Sequence, residues 1–192
     1  MMNNLGDIVK SFGAASNADI SEIAKIAQYK KYEKNEYLFT PNEICRHIFF
    51  MTKGLVRCFY LYDDKEVNLR LLCENSAVIA YSSYIQQVKT EEFVQTIEPS
   101  EGYLFSRDQL EHLSKTIPAV NQLKLLTAER HYLSMERRLL TIQYKTADER
   151  LRYFMSEMEP GIVNRTPAIH IASYLGMPPE SLSRAKRKLN KC

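Results

Sequence analysis

Several residue types and motifs are scarce or missing in this 192-residue sequence. It has no tryptophan, only six glycines, and four cysteines that never form a Cys-x-x-Cys pair. Because zinc sites and iron–sulfur clusters need closely spaced ligands, we expect no metal site. No apolar run approaches the roughly 18 residues of a membrane span. No basic segment precedes an apolar one at the N-terminus, so we expect no signal peptide and a cytoplasmic protein.

The motifs of common enzyme classes are also missing. The sequence contains no His-x-His, no His-Glu-x-x-His, no Gly-x-Ser-x-Gly and no glycine-rich phosphate loop. The spacing of His47, His112, His131 and His170 singles out no axial ligand for haem. We therefore expect no catalytic residues and no bound cofactor, and we do not expect an enzyme.

Charge is distributed unevenly along the chain. Residues 1–120 carry 13 basic and 16 acidic side chains, whereas residues 121–192 carry 13 basic and 7 acidic ones. The last twelve residues contain five cations and no acid. This asymmetry predicts a polyanionic partner for the C-terminal part alone.

The region from about residue 29 to residue 105 has the pattern of an all-β domain. Short aromatic and β-branched runs alternate with turn signals such as Pro41-Asn42, Lys53-Gly54 and Asp63-Asp64. This spacing predicts an antiparallel sandwich or barrel. A helix over 17–28, capped by Asn17 or Asp19, is expected before it. Residues 76–88 are ambiguous and compatible with a short helix.

Residues 118–144 predict one long helix, because Pro118 is tolerated in a first turn and apolar residues follow with heptad spacing. Two stripes, Leu126/Leu133/Leu140 and Leu125/Tyr132/Leu139, together cover roughly 200° of the helix, about twice what one core requires. The surplus favours contact with the domain and with the same helix of a second subunit. Complete burial within one subunit is the alternative.

A helical module is predicted after this helix. Thr146 and Glu149 form a capping box that opens a helix, which Pro160-Gly161 is expected to end. Further on, Ala168, Ile171, Ala172 and Leu175 share one helix face, Gly176 provides a turn, and Leu182, Ala185 and Leu189 face inward from a second helix. This spacing is typical of a helix-turn-helix.

The opposite face of the second helix is polar. Arg184 has the fork that binds guanine O6 and N7, and Glu180 is suited to accept a hydrogen bond from cytosine N4. Lys186, Arg187, Lys188 and Lys191 are suited to phosphates. An ordinary helical hairpin with a solvated basic face is the alternative interpretation.

The segment Ile171-Ala-Ser-Tyr-Leu-Gly-Met177, followed by Pro179-Glu-Ser-Leu-Ser-Arg184, resembles the reading head of the Crp/Fnr family of bacterial transcription regulators. Residues 48–57 and 101–107 are similar to the family's effector domain. The resemblance implies an α+β fold: an N-terminal antiparallel, jelly-roll-like β-roll with flanking helices, a long dimerisation helix, and a C-terminal winged helix-turn-helix with a short wing. The implied segments are 1–117, 118–144 and 145–192.

The resemblance also implies roles for individual residues. It assigns base reading to Glu180, Ser183 and Arg184, and phosphate contacts to Ser181, Lys186, Arg187, Lys188 and Lys191. Two departures stand out, since Pro179 replaces an arginine of some members and Pro178 replaces the usual Ser or Thr cap. The chain as given also ends soon after the second helix, which implies a short wing.

The effector pocket departs from the family pattern as well. The cyclic-nucleotide cassette needs a phosphate-binding arginine, but no arginine lies between Arg70 and Arg107, and Glu91 and Glu92 would repel a phosphate. We expect no tight binding of cAMP or cGMP. Glu74, Tyr81, Ser82 and Ser83 are candidates for an unknown effector, with ordinary surface or loop roles as the alternative.

The sequence therefore predicts a homodimeric regulator that reads a near-palindromic site on double-stranded DNA. The resemblance implies contact with RNA polymerase. A β-roll that senses a ligand and acts through protein contacts, without specific DNA binding, is the second hypothesis.

Overall fold

A computed structural model describes residues 2–11 and 15–189. The strands are β1 (Gln28–Tyr32), β2 (Tyr37–Phe39), β3 (His47–Tyr62), β4 (Lys65–Leu72), β5 (Ala77–Val78) and β6 (Phe93–Ser106). The helices are α1 (Met2–Ser11), α2 (Asn17–Lys25), α3 (Tyr81–Gln86), α4 (Arg107–Leu113), α5 (Pro118–Tyr144), α6 (Ala147–Glu157), α7 (Pro160–Arg165), α8 (Ala168–Tyr174) and α9 (Pro179–Leu189). None of the helices in these ranges is long and apolar enough to cross a membrane.

Strands β1 to β6 form one antiparallel sheet, which confirms the predicted β-roll. We call this sheet, together with the helices that cover it, the roll. Its order is β1-β6-β3-β4, with β2 on β6 and β5 on β3. The turn predicted at Lys53-Gly54 is wrong, because β3 continues through it and pairs with β6 along its length. Gly54 has φ +120°, and a Cβ there would lie 2.1 Å from the Ser100 hydroxyl oxygen. The glycine thus allows a bulge that bends β3 without ending it.

The core of the roll is rich in aromatic and aliphatic side chains. Phe49, Phe59, Phe105 and Leu110 are almost fully buried, and the rings of Phe50 and Phe105 meet edge to face at 5.5 Å. α2 and the first turns of α5 cover this core. A helix also forms in the ambiguous 76–88 stretch, where α3 occupies Tyr81–Gln86.

The cap of α2 differs from the predicted one. Ser16, and not Asn17 or Asp19, is the N-cap, and Asp19 is the third helical residue of a capping box. The helix ends at Lys25, three residues before the predicted end at 28. The helix stops there because Gln28 already pairs with Leu104, a distant residue, as the first residue of β1.

α5 has the predicted bounds, Pro118–Tyr144. Val120 and Leu123 are buried against the roll. Further along, five large apolar side chains remain 44–64% exposed: Leu125, Tyr132, Leu133, Leu139 and Leu140. The helix thus has one face on its own domain and a second apolar face with no cover within the described chain.

We call residues 147–189 the reading module. The predicted capping box of Thr146 and Glu149 is confirmed. Pro160-Gly161 does not end α6 as predicted, because α6 already ends at Glu157. Pro160 is instead the first residue of α7, where the missing N–H of a proline breaks no helical hydrogen bond. Ala168 is exposed rather than part of the inner face. The predicted wing and Lys191 fall beyond Leu189, outside the described residues.

Candidate nucleic-acid interface

α8 and α9 form a helix-turn-helix whose geometry follows from a few small residues. Ala172 is 1% exposed at the contact between the two helices. Gly176 adopts φ +62°, and the next amide, that of Met177, donates to the Ala172 carbonyl at 3.0 Å. Leu182 and Ala185 anchor α9, since both are 1% exposed within the module core. The turn and the packing therefore fix which face of α9 is free.

The free face of α9 carries the side chains predicted to read bases. Glu180, Ser183 and Arg184 are all exposed. An Arg184 Nη atom donates to the Ser181 hydroxyl at 3.0 Å, one turn earlier. Glu180 lies in the first turn of the helix. The structure brings a carboxylate, a hydroxyl and a guanidinium together on one protruding surface.

The candidate phosphate ligands are placed less uniformly. Lys186 and Arg187 are exposed, but the Lys188 ammonium pairs with the Asp148 carboxylate of α6 at 2.7 Å. Ser181 is half-buried. One predicted cation is thus engaged by an acid of the same module, which sequence spacing did not indicate.

The reading module is docked on the roll through a polar contact that the sequence did not reveal. Arg57, in β3, is buried and binds both Glu66 oxygens, the Gln95 amide oxygen (2.7 Å) and the His170 ring at 3.2 Å. Hydrogen bonds from Arg57 hold the pKa of Glu66 below its usual value. Ser173 of α8 donates to the Glu66 carbonyl at 2.7 Å. This network ties α8 to the β3–β4 hairpin.

A second contact lies beside α7. Arg165 pairs with Glu74 at 2.5 Å and with Glu98 at 2.6 Å. Between the two polar contacts, Leu55, Leu71 and Ile97 of the roll are buried in the same cluster as the module core. The interface therefore has an apolar centre and charged flanks.

The four candidate effector residues do not form one site. Ser83 is buried, accepts from the Cys45 amide at 2.9 Å and donates to the Val88 carbonyl, so it closes a loop. Ser82 is exposed, and Tyr81 stacks on His131 with centroids 4.6 Å apart. Glu74 lines a cavity but is also the partner of Arg165.

That cavity, of about 520 Å³, lies between the roll and α5 and contains residues that the sequence analysis missed. Arg70 reaches it from β4, where it donates to Glu92 and to the Ile79 carbonyl, both at 2.7 Å. α5 contributes Thr127, Arg130 and His131. Burial lowers the pKa of His131 to about 4, with a further contribution from Arg70. In the sequence, the residues that α5 contributes could have been recognised as a row of polar side chains on the side of this helix that faces the roll.

Comparison with known proteins agrees with this architecture. The cyclic nucleotide-binding domain family matches residues 29–116. FixK2 of Bradyrhizobium japonicum superposes with a TM-score of 0.73 at 21% identity, covering 86% of this chain and 85% of that one. A structure described as a transcriptional regulator of the Crp/Fnr family, from Eubacterium rectale, gives 0.68 at 18% identity, covering 92% and 84%. The chain has the Crp/Fnr fold.

Sequence similarity extends to a curated regulator. The global nitrogen regulator of Nostoc sp. is 26% identical over 127 residues, which are 65% of this chain. The matched stretch spans 56% of that regulator's length. In this Crp/Fnr-like chain, the cyclic nucleotide-binding match coincides with the roll, and the helix-turn-helix lies C-terminal to the matched domain.

Proposed function

We propose that the protein is a homodimeric transcription regulator that binds a near-palindromic DNA site. The observation that carries this proposal is the exposed face of α9, where Glu180, Ser183 and Arg184 protrude from a helix anchored by buried residues. A helix with such a face fits the major groove, about 12 Å wide. Lys186 and Arg187 flank it and are available to phosphates. DNA as partner supports a cytoplasmic location, and the family fold supports contact with RNA polymerase.

Selection of bound sequences from random DNA tests the reading of bases. The wild type should enrich a two-fold symmetric site with half-sites about 34 Å apart. Arg184→Ala should cost about 1–3 kcal/mol on that site and relax the requirement for one G·C pair. Lys186→Ala is the control, because loss of a phosphate contact should weaken all sequences alike and flatten the salt dependence. Salt-sensitive binding without sequence preference would contradict the proposal.

The dimer is supported by the exposed apolar stripe of α5. Leu125, Tyr132 and Leu139 repeat every seven residues and lie on the side away from the roll, as in a coiled-coil seam. Leu139→Glu should shift sedimentation from dimer to monomer. Leu61→Glu is a matched control, since Leu61 in the β3–β4 hairpin is 53% exposed and Leu139 54%. A wild-type monomer would contradict the homodimer.

We further propose that cAMP and cGMP do not control the protein. Two observations support this: the Arg70 guanidinium is held by Glu92, and the Glu74 carboxylate by Arg165. The charges that a cyclic phosphate and a ribose would need are therefore already paired. Isothermal titration with either nucleotide should show no binding, and a micromolar dissociation constant would overturn this part of the proposal.

A sensor that acts through protein contacts is the second candidate. It is favoured by the docking of α8 on the β3–β4 hairpin, which joins the roll cavity to the reading module. The DNA selection distinguishes the two, because such a sensor would enrich no sequence.

A further inference from the structure

A groove of about 260 Å³ lies where α5 meets the reading module. Its apolar wall is formed by Ile142 of α5, Phe154 of α6, Met158 just after α6, and Leu175 at the end of α8. It is separate from the roll cavity, although Ser134 and Arg130 of α5 border both. Since ligand pockets combine apolar walls with a few polar groups, the charged residues at its edge indicate what it would bind.

The polar edge of the groove is cationic. Arg138 donates one Nη to the Asn68 carbonyl at 2.9 Å and stacks over the Tyr174 ring, with its guanidinium carbon 5.4 Å from the ring centroid. Its Nε has no hydrogen-bond partner but almost no accessible surface, so only the other guanidinium nitrogens are open to a ligand in the groove. Arg137 and Arg130 line the same groove, against a single carboxylate, that of Glu157. Guanidinium groups bind carboxylates through charge-assisted hydrogen bonds, so this edge favours an anionic group.

This groove is not on the face of α5 that we propose for the dimer. Its α5 residues, among them Ser134, Arg138 and Thr141, recur at three- and four-residue spacing on the side facing the module. Leu125, Tyr132 and Leu139 lie on roughly the opposite side of the helix. Leu133 alone, among the exposed apolar residues of α5, borders both surfaces. Pairing through the stripe therefore leaves the opening of the groove uncovered.

We propose that the groove binds a small carboxylate with an apolar tail, such as a medium-chain fatty acid. The tail would lie on Phe154, Met158 and Leu175, and the carboxylate would pair with the Arg137 and Arg138 guanidinium groups that line the groove. The modest volume, below the roughly 300–1,000 Å³ of sites for drug-sized ligands, favours a small occupant. Because the groove spans α5, α6 and α8, its ligand would join the long helix to the reading module.

Calorimetric titration of the full chain with decanoate tests this proposal. We expect a micromolar dissociation constant for decanoate and at least tenfold weaker binding of decylamine, which has the same tail and the opposite charge. Arg138→Gln should weaken decanoate at least tenfold. Arg137→Gln should weaken decanoate binding several-fold. Because Arg137 is exposed, this variant should fold normally and keeps the proposal testable if Arg138→Gln does not fold. Arg152→Gln, which removes an exposed cation of α6 outside the groove, should leave decanoate binding unchanged.

Three results would overturn the proposal: no decanoate binding, equal binding of decylamine, or equal effects of the Arg137 and Arg152 substitutions. The titration contains no DNA, so its outcome is independent of the proposed regulator function. With DNA present, linkage requires that decanoate and DNA change each other's affinity by the same factor. This second measurement tests only whether the groove and the DNA-binding surface are coupled, and the titration without DNA tests whether decanoate binds.

Discussion

The roll and the reading module both enclose buried aromatic residues, but strand pairing in the roll joins residues that are further apart along the chain. In the roll, Phe49 lies opposite Leu104 and Phe59 opposite Phe93 on paired strands. In the module, the core residues Leu151, Phe154, Leu175 and Leu182 lie within 32 consecutive residues, whereas Phe49 and Leu104 are 55 positions apart. Long-range pairing makes a fold slow to form, whereas local helical contacts form early. The comparison suggests that the roll is the slow framework and the module a local unit docked on it.

Truncation of one aromatic residue in each core is the strongest way to test this comparison. Phe49→Ala and Phe154→Ala should each cost about 3–5 kcal/mol, because each removes a buried ring. We expect Phe154→Ala to release the module while the roll stays folded, as followed by hydrogen exchange. Phe49→Ala should destabilise the roll and, with it, the docked module. Simultaneous loss of exchange protection in both regions of Phe154→Ala would show one cooperative unit instead.

The docking contact itself gives a second test. Arg57→Met removes charged hydrogen bonds to Glu66 and Gln95 from a buried position and should cost about 1.5–3 kcal/mol. It should also separate the thermal transitions of roll and module. Arg46→Met, at an exposed site, is the matched control. Unchanged transitions in Arg57→Met would mean that the apolar centre of the interface alone holds the module.

The junction between roll and α5 should respond to pH through His131. Its folded pKa of about 4 lies below the usual 6.5, mainly because the ring is partly buried. Between these values the unfolded chain binds a proton that the folded chain does not, so stability should fall as pH falls from about 6.5 to 4. The loss should be about 1–2 kcal/mol, reduced by solvent screening of a partly exposed ring. Urea unfolding of His131→Gln should show a smaller loss, and exposed His112→Gln an unchanged one.

The same contrast explains what the sequence could predict. The capping box at Thr146, the turn at Gly176 and the inward Leu182 are local signals, and each has its predicted place. In the roll, individual strand segments were visible, but Gly54 signalled a turn where the structure has a bulge. Its role depends on Ser100, a residue 46 positions away, brought close only by the pairing of β3 with β6.

The cavity residues on β4 and α5 and the docking residues were missed for a related reason. The effector prediction followed the family's cassette and so examined residues 73–93, whereas the cavity takes Arg70 from β4 and His131 from α5. Similarly, nothing in the sequence near Arg57 indicates His170, 113 residues away. Residues that act across domains carry no local pattern, and only the tertiary structure brings them together.

The smallest predicted effect concerns Lys188, which pairs with Asp148 in the module and is also a predicted ligand of a DNA phosphate. Lys188 pairs with Asp148 across the surface of the module at 2.7 Å, with its side chain largely exposed. An exposed ion pair contributes little to stability, so Asp148→Asn should change the free energy of unfolding by less than about 1 kcal/mol. It should, however, free one cation for phosphate and raise the slope of log affinity against log salt by about 0.9. Lys188→Ala should remove this gain in the double variant, and an unchanged slope in Asp148→Asn would exclude Lys188 from the DNA contact.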